Sequence, residues 1–94
     1  MSETPVEELL RQIHDTNTPD KSRYARVRTL AHQIGDGIAE PATAESLTGA
    51  FRAAYLDLQL ALLRSSDDSS LDGYKRQCTQ AVSRMHAASR RAPA

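Results

Sequence analysis

Three imidazoles and one thiol are the groups in this chain best suited to chemistry: His14, His32, His86 and Cys78. No two of them share a His-x-x-x-His or Cys-x-x-Cys spacing. A zinc site draws on four clustered ligands, or on three and a water. The spacing therefore assigns no metal and no cofactor. Cys78 falls on an apolar helical stripe, where a thiol packs as a small hydrophobe rather than acting as a nucleophile. The adjacent carboxylates are Glu7-Glu8 and Asp67-Asp68. Neighbours on a helix diverge by about 100°, so Glu7 and Glu8 do not converge on one substrate atom. Both pairs stand near helix starts, where acids complement the dipole. Gly35-Asp36-Gly37 lacks the Gly-Lys-Ser/Thr ending of a phosphate loop and follows a helix instead of a strand. The expectation is a protein that is not an enzyme.

Charge is the stronger signal. Twelve cations balance twelve acids, which argues against a dedicated nucleic-acid binder. The charges are nevertheless sorted along the chain. Residues 1–20 carry net −4 and residues 21–28 carry net +4, through Lys21, Arg23, Arg26 and Arg28. Residues 29–72 carry net −5, and residues 73–94 carry net +5 through Lys75, Arg76, Arg84, Arg90 and Arg91. Such sorting makes polarised faces. The basic stretch at 21–28 could hold phosphates or an acidic partner, or could complement acids on a neighbouring helix. The candidate partner-binding residues are Arg23, Arg26, Arg28, Lys75, Arg76, Arg84, Arg90 and Arg91.

The elements that carry these residues read as four helices. Thr4-Pro5-Val6-Glu7 is a start in which Thr4 caps, Pro5 loses no hydrogen bond and Glu7 closes a capping box. Val6, Leu9, Leu10 and Ile13 then share one face, predicting a helix over 5–15. Thr18-Pro19 repeats the start, and Tyr24, Val27, Leu30, Ala31 and Ile34 predict a second helix over 19–34, stopped by Gly35-Asp36-Gly37. Glu40-Pro41 and Thr43 offer starts for a third helix over 42–64. Its stripe is Leu47, Phe51, Ala54, Leu58 and Ala61, widened by Tyr55, Leu56, Leu60, Leu62 and Leu63. It reads as the most buried of the four. Ser65–Ser70 is a polar loop ending in capping residues. Leu71, Tyr74, Cys78, Ala81, Val82 and Met85 predict a fourth helix over 70–89, with a basic tail at 89–94 that frays.

Nothing alternates with period two, so strands are not expected. Aromatics make up only 4%, and a core of Leu, Ile, Val, Met and Ala suits helices. The fold expected is all-α, one antiparallel four-helix bundle over residues 1–94. A single cysteine allows no internal disulfide, which suits a reducing compartment. MSETPVEELL is acidic where a signal peptide is basic and apolar. The longest apolar run, Leu60–Leu63, is far short of the ~20 residues that span a bilayer. The expected location is the cytoplasm.

Three resemblances attach to these residues. Leu9-Leu10-Arg11-Gln12-Ile13-His14-Asp15 and the turn Asn17-Thr18-Pro19-Asp20-Lys21 resemble the first helix and turn of pediocin-like bacteriocin immunity proteins. The Tyr- and Leu-rich end of the third helix and the basic fourth helix resemble them too. That family implies an antiparallel four-helix bundle in the bacterial cytosol. Its C-terminal half would recognise a toxin-loaded receptor, and its composition is Lys-rich where this chain is rich in Arg and Ala.

Arg28-Thr29-Leu30-Ala31-His32-Gln33-Ile34 resembles the helix of histidine phosphotransfer domains, which implies His32 as the phosphorylated residue. That motif continues His-x-x-Lys-Gly, whereas Gly35 and Asp36 occupy those positions here. Glu45-Ser46-Leu47 resembles the attachment site of acyl carrier proteins, which are acidic throughout, unlike this chain. The function these readings lead to is a small cytosolic, non-enzymatic protein-binding module, of the immunity type where the first resemblance is followed. A phosphotransfer-like signalling protein or another helical adaptor is the alternative.

Overall fold

The capping box expected at Thr4 opens the first helix. Glu7 donates its backbone N–H to the Thr4 hydroxyl, and the Glu7 carboxylate accepts from the Thr4 N–H, both at 3.1 Å. The computed structural model describes residues 3–18, 20–64 and 68–90. Its helices are α1 (Pro5–His14), α2 (Lys21–Asp36), α3 (Pro41–Leu63) and α4 (Asp68–Arg90), with no strand among the described residues. This is the all-α, four-helix arrangement that the periodicity predicts.

The starts and stops differ from expectation in instructive ways. Asp20, not the Thr18-Pro19 pair, caps α2: its carboxylate accepts from Ser22 and Arg23 N–H. Pro19 itself lies outside the described residues. The helix also runs through Gly35 and Asp36 before ending at Gly37. Pro41 opens α3 with Glu40 before it. Of the expected polar loop, residues 65–67 lie outside the described residues and Asp68 already belongs to α4. The fourth helix continues to Arg90, and residues 91–94 lie outside the described residues.

Both α1 and α3 pack on α2 and α4, and α2 touches α4 between them. Arg23 meets Gln12, and three residues further along α2, Arg26 meets Glu8. Between α2 and α3, the Tyr24 ring lies 6.0 Å from that of Tyr55, and further along α2 Gly35 approaches Thr48, earlier in α3. Such pairings arise when neighbours run in opposite directions. Leu9, Ile13, Val27, Leu30, Ile34, Phe51, Leu58, Val82 and Met85 fill the centre, and Cys78 is buried among them.

The apolar residues of α3 do not form one broad buried face. Phe51, Tyr55, Leu58 and Ala61 are buried, but Leu56, Leu60 and Leu63 are exposed. The reason is angular. Leu60 follows Leu58 by two residues, about 200° around the helix, so the two cannot face one core.

At Gly35 the backbone of α2 comes close to α3. A Cβ on Gly35 would come within 2.8 Å of Thr48 Oγ1 on α3, whereas one on Gly73 would meet nothing within 4 Å. Overpacking costs about 1–3 kcal/mol, and helix propensity returns about 1 kcal/mol for Gly to Ala. Gly35→Ala should therefore lower stability in urea, and adding Thr48→Ala should restore it. Gly73→Ala should instead raise stability by about 0.5–1 kcal/mol. The two glycines thus move the urea midpoint in opposite directions.

Candidate functional site: the cationic faces and His32

The two basic clusters have different fates in the fold. On α2, Arg26 grips Glu8 of α1 with two hydrogen bonds, at 2.6 and 2.7 Å. Arg23 donates to the Gln12 side chain at 2.7 Å. Arg28 lies over the Tyr24 ring, 6.0 Å from its centroid, with its side chain at the surface. Two of the four cations of this cluster, Arg23 and Arg26, are thus turned toward the acidic first helix, one of the two uses its charge allowed.

Lys75 is also committed. Its ammonium donates to the His14 carbonyl at 2.9 Å and to Asn17 Oδ1 at 2.8 Å, so it ties α4 to the end of α1. Arg76 and Arg84 are exposed. Neither makes a hydrogen bond or ion pair with the described residues. Arg90 ends α4, while Arg91 lies outside the described residues. Gln80 is exposed between the two arginines. Positions 76, 80 and 84 are successive turns of one helix, so they line one ribbon about 12 Å long.

Charge pairing across α1 and α2 carries a pH signature. The Arg26 guanidinium holds the Glu8 carboxyl below the usual carboxylate range, against a smaller opposing effect of burial. The hydrogen bonds from Thr4 do the same for Glu7. A depressed carboxylate stabilises the fold fully above its unfolded-state pKa, and the contribution is lost as pH falls through the folded value. Melting temperature should therefore fall as pH drops below about 4.5. Glu8→Gln should flatten that fall, which melts recorded across the range would reveal.

Comparison with family models, curated proteins and solved structures finds no match. The site must be read from its own geometry.

His32 is 79% exposed on α2, and its Nε2 stands 3.7 Å from an Asp36 carboxylate oxygen. Asp36 and Glu45 line the same shallow hollow of about 170 Å³ beside His32. An anionic phosphoryl group on this imidazole would face two carboxylates and no cation among those lining residues. His14 is exposed against Asp15, and the described residues hold no cluster of three His, Cys, Asp or Glu suited to a metal ion.

Cys78 is buried, and burial pushes its thiol up to about 12, with Asp57 adding to the shift. It stays a neutral thiol at physiological pH, as its place on the stripe implied. A larger apolar hollow of about 590 Å³ opens between the start of α2 and the end of α3, lined by Asp20, Lys21, Tyr24, Gln59 and Leu63. Asp20 there is already spent on two backbone N–H groups.

One polar site escaped the sequence reading. Thr16, placed in a loop by its neighbours, is fully buried. Its hydroxyl donates to the Gln12 carbonyl at 2.6 Å and meets the Tyr55 hydroxyl at 3.1 Å. The Thr16 proton being used, the Tyr55 phenol is the donor in that second bond. Nothing local in the sequence marks this contact, because its partner is 39 residues away.

Proposed function

We propose that this chain is a non-enzymatic binding module that holds an acidic protein surface against the outer ribbon of α4. The observation that carries the reading is the exposure of Arg76 and Arg84, neither of them paired among the described residues, while Arg23, Arg26 and Lys75 are spent inside the fold. The nearest acid on this helix is Asp72, one turn before Arg76; it forms no ion pair among the described residues, and no acid follows it in the sequence. Arginine is suited to this work, since its planar fork grips carboxylates through paired hydrogen bonds.

The reading agrees with what the resemblance to bacteriocin immunity proteins implies, namely recognition by the C-terminal half of a bundle. An immunity-type role in the bacterial cytosol is its most specific form, and the lone buried thiol of Cys78 suits a reducing compartment. The phosphotransfer alternative keeps the exposure of His32 in its favour and the adjacent carboxylate of Asp36 against it. A photo-crosslinking residue at Gln80 tests the proposal in cells of the source organism. It should yield one discrete adduct with an acidic protein, while the same probe at Thr29 on α2 should not. Equal labelling from both positions would reject α4 as the binding face.

A further inference from the structure

The outward side of α3 carries a pattern that neither the core nor the α4 ribbon uses. Ser46, Gly49, Ala53, Leu56, Leu60 and Leu63 recur at steps of three and four. That spacing is the seam of a two-stranded coiled coil. The leucines of this seam are 49%, 38% and 66% exposed, although α3 also supplies Phe51, Tyr55 and Leu58 to the core on its opposite side. Gly49 has open space where a side chain would stand.

We infer that α3 pairs, parallel and in register, with α3 of a second copy of this chain. The charges flanking the seam select that occupant. In a parallel pair, the residue just before an a position faces the residue five further along in the partner helix. With Ala53 and Leu60 at a, Arg52 of one copy faces Asp57 of the other, and two-fold symmetry makes the pair twice. Arg52 and Asp57 are both exposed, and neither forms an ion pair among the described residues.

A membrane surface calls for a cationic excess beside the apolar stripe, and this seam is flanked by both signs. Three leucines and small residues give a small contact, in the class of transient interfaces. The dissociation constant should then fall in the range of about 10 µM to 1 mM.

Sedimentation equilibrium tests the inference on the full chain. The wild type should pass from monomer to dimer across that range, and Leu60→Glu should stay monomeric with unchanged helicity. Arg52→Glu and Asp57→Arg should each weaken the homodimer on the order of tenfold, since like charges then meet twice. Mixing those two variants should restore a dimer, because opposite charges then face each other at both pairs. That rescue separates pairing from any loss of fold. A wild type monomeric up to about 1 mM overturns the inference. So does a dimer indifferent to the charge variants or not rescued by mixing, or binding of anionic vesicles in place of self-association.

Discussion

Tyr55→Ala is expected to destabilise the protein by about 3–5 kcal/mol, the largest single effect we anticipate. Tyr55 is 2% exposed, with its ring 6.0 Å from those of both Phe51 and Tyr24. Removing it empties the middle of the core and breaks two aromatic contacts together. It also takes away the partner that meets Thr16. A domain of this length has a total stability of about 5–15 kcal/mol, so the variant keeps a small margin. Tyr55→Phe dissects the loss. It retains the ring and removes only the hydroxyl, so it should cost about 1 kcal/mol. Urea unfolding of the two variants checks this. Equal losses from Ala and Phe would place the energy in the hydroxyl pair rather than in the ring.

Leu58→Ala should cost about 2–5 kcal/mol. Leu58 is fully buried on α3, on the side of that helix facing α4 and α2. The cavity it leaves is walled by rigid helices that close only in part, which adds to the lost transfer energy. Leu60→Ala, two residues along and exposed, should change stability by less than about 0.5 kcal/mol. The pair measures directly which side of α3 is core. A midpoint shift of under a few tenths molar in urea for Leu58→Ala, with unchanged slope, would contradict its burial.

The fold was legible because its signals are local. Thr4, Pro5 and Glu7 name a helix start within four residues, and the structure forms both hydrogen bonds of that box. Leu9 and Ile13, or Cys78, Val82 and Met85, share a face by spacing alone, and all are buried. Composition could not say which side of a leucine-rich helix faces inward. Leu56, Leu60 and Leu63 read as core by type, yet angular position puts them at the surface.

The candidate site was legible only as sorted charge. Which arginines remain available depends on α1 meeting α2, since Glu8 and Gln12 reach Arg26 and Arg23 from 18 and 11 residues away. The union of Thr16 with Tyr55 likewise depends on tertiary geometry. Periodicity carries no information on either.

If the α4 ribbon acts by binding, as proposed, its charges govern encounter with the partner and not the stability of the fold. Arg76→Glu combined with Arg84→Glu tests this most directly, with association to the crosslinked partner followed kinetically at several salt concentrations. Exposed charges contribute only about 0–1 kcal/mol to stability, so the variant should melt like the wild type. Interface charges act mainly on encounter, so the on-rate should collapse at low salt and approach the wild-type value as salt rises. A variant that melts normally and associates at the wild-type rate at low salt would contradict the account.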